Sequence, residues 1–216
     1  MITKYGAGCF LKFEKTDVPL RFVKWIAYKF DTGSSEIQLG KNFIPVTKET
    51  IHNILHIPIG GPEIEPDREA GRTFILSHFN VPAIPQVSYF GDKLKSKEAM
   101  SDEDIMICFM TVVFQSFLCP NSSLQPSSEY LHIFRDPKTI MKHDLSKFVY
   151  EWLVMSIKKF RRATRLAARR QITLGGNHYS LAVSFFLFAC DEHQVLQINE
   201  ALHLIFLFFL IFCSHR

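Results

Sequence analysis

Apolar residues recur at helical spacing along much of this chain, and the breaks between those stretches divide it into elements. In residues 21–30, RFVKWIAYKF, the positions Phe22, Trp25, Ile26 and Phe30 suit one face of a short helix. The run Asp31-Thr32-Gly33-Ser34-Ser35 breaks it, and residues 37–43 read as a short strand or extended link. Thr47 then fits an N-cap, with Val46 placed to staple against Ile51 one turn in. Ile51, Ile54 and Leu55 form the stripe such a helix would bury, and the run from Pro58 to Pro62 is expected to end it. Prolines at 62, 66, 82 and 85 make residues 62–97 read as loop-rich with short elements.

Ser101-Asp102-Glu103-Asp104 has the spacing of a capping-box variant and opens the next helix. Residues 105–118 are apolar except for Thr111, Gln115 and Ser116, a pattern for a core helix, and Cys119-Pro120-Asn121 stops it. Residues 127–134 start a further short helix. Residues 144–170 are the longest helical run, burying Phe148, Val149, Trp152, Leu153, Ile157 and Phe160. The predicted fold is mainly α: a single irregular helical domain with minor short β elements near residues 37–45 and 73–90. An N-terminal extension (1–19), the helical domain (20–183) and an apolar C-terminal tail (184–216) divide the chain.

Composition changes this picture little. The chain has 216 residues, room for one domain with a sizeable core, and 21 phenylalanines, many of them in the last third. The net charge of +4 is too mild to imply a nucleic-acid partner, so the distribution of charge matters more. The five cysteines are odd in number and form no C-x-x-C pair, which fits buried thiols in a reducing compartment rather than a disulfide framework. Charges at Lys4, Lys12, Glu14, Lys15 and Asp17 interrupt the N-terminus, so a secretory signal is not expected.

Four motifs suggest chemistry. Residues 30–35, FDTGSS, match the signature around the catalytic aspartate of pepsin-like proteases. That chemistry needs two aspartates sharing a proton, and no second D-T-G or D-S-G occurs, so a turn between two elements is the preferred reading of Asp31. His52 and His56 have metal-ligand spacing on a helix, but no glutamate completes an H-E-x-x-H site and no third ligand suggests itself. Leu174-Gly175-Gly176-Asn177 lacks the spacing of a phosphate loop and reads as a helix-ending turn. Lys158, Lys159, Arg161, Arg162, Arg165, Arg169 and Arg170 fall within thirteen residues that hold no acid. They extend the amphipathic helix built on Trp152 and Ile157, and could meet nucleic-acid phosphates, an anionic surface or a nuclear import receptor. The alternative is a solvated helix end whose cations complement the helix dipole.

The segment ALHLIFLFFLIFC at residues 201–213 falls short of the roughly 18 residues that argue for a membrane span. A buried or aggregation-prone helix is the default there, with membrane contact ranked below it.

RFVKWIAYKFD followed by FIPVTKETIHNILHIPIGG resembles the opening of the plant mobile domain, also called aminotransferase-like. VVFQSFLCPNSSLQPSSEYLHIF, DLSKFVYEWLVMSIKKF and TLGGNHYSLAV resemble the later part of related grass proteins dispersed with transposable elements. Some of those carry a SUMO-type cysteine protease region further downstream, and no such region is present here. The resemblance spans about residues 20–183 and implies a plant, transposable-element-type domain acting in the nucleus, with no catalytic residues to carry over. Despite the family's second name, the Schiff-base lysine and phosphate cup of a pyridoxal enzyme have no signature in this chain. After Leu181-Ala182-Val183 the sequence departs from its relatives into the phenylalanine-rich tail, as a truncated or mispredicted gene product would.

Together these readings predict a non-catalytic domain, nuclear or cytoplasmic, without cofactor or metal. Its expected partners are nucleic acid or a nuclear protein, met through the basic helix. An aspartic-protease-like enzyme using Asp31 and a tail-anchored membrane protein using residues 201–213 are the competing readings.

Overall fold

The computed structural model describes residues 1–13, 19–96, 99–166, 174–176 and 182. The mainly α expectation holds. Two 3-10 turns, Ile2–Tyr5 and Ala7–Lys12, precede helix α1 (Leu20–Lys29). A three-stranded antiparallel meander follows: β1 (Phe30–Asp31), β2 (Glu36–Leu39) and β3 (Asn42–Pro45), in the order β1-β2-β3. Phe30 pairs with Ile37, and Ile37 with Ile44, so three apolar side chains line one face of this small sheet. Helices α2 (Lys48–Leu55), α3 (Arg68–Phe79), α4 (Val87–Lys95), α5 (Asp102–Val113), α6 (Ser128–Leu131) and α7 (Leu145–Leu166) complete the described fold. The first thirteen residues are not set apart from the core, because Ala7 and Phe10 are buried in it.

Several local predictions hold for the reasons given. Thr47 caps α2 by a reciprocal exchange, its hydroxyl accepting from the Thr50 amide while Thr50 Oγ1 accepts from the Thr47 amide at 3.2 Å. Val46 and Ile51 are both fully buried, as a hydrophobic staple requires. Ser101 caps α5 through the Asp104 amide at 3.0 Å. On α7 the residues Phe148, Val149, Trp152, Leu153, Ile157 and Phe160 are all buried. On α1 the buried positions are Val23, Ile26 and Ala27, while Phe22 and Trp25 are only half-buried.

Two expectations need correction. No strand lies in residues 73–90, and residues 62–97 are not mainly loop: α3 and α4 occupy them. The prolines all fall outside these helices. Pro66 sits just before Asp67, whose side chain caps α3 by accepting from the Ala70 amide at 2.9 Å, and Pro82 and Pro85 lie between α3 and α4. Asn80 ends α3 in the left-handed conformation (φ 50°), a residue type suited to that position. Helix α2 also stops earlier than Pro58. His56 takes φ 52° as its C-cap, because Ile57, the residue before a proline, is disfavoured in helical geometry.

Gly175 and Gly176 follow residues that lie outside the described ones, so the helix-ending reading of this pair falls there too. They lie against the middle of α7, close to Leu153 and Ser156, and the Gly176 amide donates to the Pro120 carbonyl at 3.0 Å. Gly176 has φ +90°, and a Cβ there would sit 3.1 Å from Leu153 Cδ1, so both backbone geometry and space call for glycine. The Pro120 carbonyl also accepts from Trp152 Nε1 at 3.4 Å.

Helix α5 runs into a single π-turn, Phe114–Leu118. Its extra residue coincides with a buried Gln115, whose amide is fully used. Nε2 donates to Asn121 Oδ1 (3.0 Å) and to the Ser123 carbonyl (2.8 Å), while Oε1 accepts from Asn121 Nδ2 (3.1 Å) and from the Tyr130 hydroxyl (3.3 Å). Beside this network stands an aromatic cluster of Phe114, Tyr130, Phe134, Phe148 and Trp152, which joins α5, α6 and α7.

Candidate functional site

The C-terminal half of α7 meets the end of α1 and the β-meander, which brings two motifs of interest into one neighbourhood. Arg161 Nη1 donates to the Phe30 carbonyl at 2.8 Å, and the Ser35 and Tyr150 hydroxyls are hydrogen-bonded to each other further back along α7. The D-T-G-S-S run is the turn joining β1 to β2. Asp31 Oδ1 accepts from the amides of Gly33 (2.7 Å) and Ser34 (3.2 Å), an Asx-type arrangement that closes the turn.

Those two amides, Gly33's first, hold the Asp31 carboxyl below its ordinary pKa, and the Arg161 guanidinium adds a smaller push in the same direction. A carboxyl that must share a proton with a second one is driven upward instead. Asp31 is exposed, and the groups acting on it are two amides and a cation rather than another carboxylate.

The described basic positions separate into distinct roles. Arg161 is half-buried and clamps α7 to β1. Lys158, Lys159 and Arg162 are exposed and make no ion pair among the described residues. The side chain of Arg165 and all of Arg169 and Arg170 lie outside the described residues. At the other end of the same helix, Lys147 is paired with Glu63 and Glu151. After Glu151 the next acid in the sequence is Asp191. Helix α7 therefore runs from a neutralised start to an uncompensated positive end, where cations also suit the helix dipole.

Arg161→Ala is expected to destabilise the fold by about 1.5–3 kcal/mol, the scale for losing a hydrogen bond from a charged donor. It should also raise the Asp31 titration toward the ordinary aspartate value. Because the folded-state pKa is lowered, the stability tied to Asp31 is present above the ordinary value and is lost as pH falls through the lowered one. Arg162→Ala should do neither. Thermal melts and carboxyl NMR titrations of the two variants check this, and equal behaviour would contradict the division of roles.

The other motifs do not form sites. His52 Nδ1 is engaged with the Ile57 carbonyl at 2.7 Å and His56 is an exposed cap, so the two rings do not converge. No group of three or more His, Cys, Asp or Glu side chains among the described residues could hold a metal ion. Burial raises the pKa of the described thiols, Cys108 to about 11, Cys119 well above its ordinary value and Cys9 less so, and so disfavours the nucleophilic thiolate. No described helix is long and apolar enough to cross a membrane, and residues 201–213 lie outside the described residues.

Sequence reasoning did not single out the packing of α1 on this end of α7. Lys24, Tyr28 and Lys29 stand on its outer side, opposite Val23, Ile26 and Ala27, and Tyr28 packs on Phe160 of α7. RFVKWIAYKF gives only the shared face, Lys24 and Tyr28 being four apart, and not the helix it packs on.

No curated protein and no solved structure matches this chain. One protein family does, over residues 1–182, which is most of the sequence and includes the capped helices, the meander and the described part of α7. The chain belongs to that family, described as Domain of unknown function (DUF8566).

Proposed function

We propose that this chain is a non-catalytic nuclear domain of the transposable-element-associated plant type, and that it binds nucleic acid through the C-terminal half of α7. The observation that carries the reading is the exposure of Lys158, Lys159 and Arg162 with no acid paired to them, on a helix whose opposite end is neutralised by Glu63 and Glu151. Uncompensated cations on a rigid helix suit phosphates, whose condensed counterions are released on contact. The resemblance of residues 20–183 to the plant mobile domain supports the nuclear setting. Burial of the described thiols fits a binding rather than a catalytic role.

The test is the triple variant Lys158→Gln, Lys159→Gln, Arg162→Gln. Binding to labelled duplex DNA should weaken, and the slope of log K against log salt should become shallower by about 3, close to one for each phosphate contact removed. All three side chains are exposed, so the melting temperature should stay near that of the parent. A salt slope identical to the parent's would remove the proposal.

A further inference from the structure

A buried nitrogen at the junction of α3 and α6 has no partner. Among the described side chains, Nδ1 of His132 is enclosed by protein and makes no hydrogen bond. His132 opens the 3-10 turn His132–Arg135, directly after α6. Its neighbours Tyr130, Leu131, Ile133 and Phe134 are all buried, so it is the only basic side chain in that run. Helix α3 lies against it. A Cβ on Gly71 would come within 3.3 Å of the His132 amide nitrogen, and the Glu129 carbonyl accepts from the Asp67 amide at 3.1 Å. Backbone meets backbone here, which leaves little room for a rearrangement that would bring an acceptor to Nδ1.

A neutral imidazole can keep its proton on Nε2 and leave Nδ1 as a bare lone pair. The imidazolium carries N–H on both nitrogens, and at Nδ1 that donor and its charge would be enclosed with no acceptor in hydrogen-bonding geometry. The residue as a whole is half-buried, so protons from solvent reach the ring. Burial is the largest influence on His132 and holds its pKa below the ordinary histidine value. The His143 ring, after the turn Ile140–Lys142, and the Arg135 guanidinium push the same way. The Asp67 carboxylate, which caps α3, and the Glu129 carbonyl push upward without overcoming burial. Arg68 and the Glu129 carboxylate pair with each other and so offset one another.

We propose that His132 is a proton-operated latch: neutral, it lets α6 and the following turn close on α3, and protonated, it drives that contact open. Because the folded state takes up this proton less readily than the unfolded chain, the stability tied to His132 is present above the ordinary histidine value. It is lost as pH falls through the lowered one. Each unit of lowering is worth about tenfold in the closing equilibrium. The other side of α3 responds in the opposite sense. His78 pairs with Asp104 of α5 at 2.6 Å, and protonation of His78 strengthens that contact. Mild acid therefore releases α6 while α3 stays on α5, and the surface uncovered is that of Tyr130, Leu131 and Phe134.

The test combines NMR titration of the histidine rings in the full chain with amide hydrogen exchange, corrected for the intrinsic exchange rate at each pH. In the parent, His132 should titrate below the ordinary histidine value. Asp67→Asn keeps a capping residue and removes the carboxylate, so it should move that titration further down, whereas His143→Gln should move it up. Between about pH 7.5 and about pH 5, the span in which histidine changes charge, amide protection in residues 128–135 should fall more than in α7. In His132→Gln, which is neutral at both ends of that span, the extra loss should vanish. A His132 titration at or above the ordinary value, or one that neither charge variant moves, overturns the latch, and both readings stand even should His132→Gln fail to fold. An acid-induced loss of protection that is equal in the parent and in His132→Gln, or even across the fold, overturns it as well.

Discussion

Gly71→Ala is expected to lower the stability of this domain by roughly 2 kcal/mol, although alanine is the better helix former. Gly71 lies inside α3, where exchanging glycine for alanine normally gains up to about 1 kcal/mol. Here the backbone of the next layer opposes it. A Cβ at this position would overlap the Ser128 carbonyl oxygen and come within 3.3 Å of the His132 amide nitrogen. Neither obstacle is a flexible side chain, so α3 must move away from α6 and from the 3-10 turn His132–Arg135 that follows it. Overpacking of this kind costs about 1–3 kcal/mol and sometimes more, which outweighs the propensity gain. Gly91, in α4, is the internal control: a Cβ there meets nothing within 4 Å. Gly91→Ala should therefore raise stability by up to about 1 kcal/mol. Thermal melts of the two variants should shift in opposite directions, the first by roughly 4–8 °C downward for a domain of this size. A Gly71→Ala protein as stable as its parent would falsify the close approach of α3 and α6.

The larger effect is expected at Tyr130. Its side chain is fully buried, and its ring lies 4.9 Å from that of Phe114 and 6.0 Å from those of Phe134 and Trp152. Tyr130→Ala removes the ring at the centre of this cluster and leaves a cavity between α5, α6 and α7, at a cost of about 3–5 kcal/mol. Tyr130→Phe keeps the ring and removes only the hydroxyl. Gln115 Oε1 would still accept from Asn121 Nδ2 at 3.1 Å, but the Ser127 amide would lose its 3.3 Å acceptor. The phenylalanine variant should therefore cost about 1 kcal/mol. Denaturant unfolding of both variants tests this. Equal losses would mean that the polar network, rather than ring packing, dominates at this position.

Much of this fold was legible from local physics. Thr47, Ser101 and the six apolar positions of α7 follow rules of capping and spacing that need no tertiary information. Helices α3 and α4 are obscured in the sequence by the closeness of the prolines at 62, 66, 82 and 85. All four fall outside the helices, and the capping residues Asp67 and Asn80 bracket twelve residues of helix between them. The packing of the glycine pair at 175–176 was not legible, since it is a contact with α7 and the Pro120 carbonyl, far away in sequence.

The candidate site was half legible. Seven cations stand out as a run, but only tertiary contacts separate Arg161, which holds the Phe30 carbonyl, from Lys158, Lys159 and Arg162, which make no ion pair among the described residues. The D-T-G-S-S match was correctly read as a turn, and the amides of Gly33 and Ser34 supply its physical purpose. The packing of Tyr28 on Phe160 was hidden because it joins two helices far apart in sequence.

The anchoring of the first elements on the last described helix has a consequence for synthesis. Phe30 meets Arg161 across 131 residues, Ser35 meets Tyr150 across 115, and the Ile57 carbonyl meets Ser146 across 89. As the chain leaves the ribosome, α1, the meander and α2 emerge with their apolar sides still lacking α7. At ordinary elongation rates that interval lasts roughly 5–20 s, far longer than the microseconds in which a helix or hairpin forms. During it, Ile26, Phe30, Ile37 and Ile51 are open to chaperones or to neighbouring nascent chains. Ribosome-bound chains halted before residue 145 should therefore be the aggregation-prone species in the life of this protein.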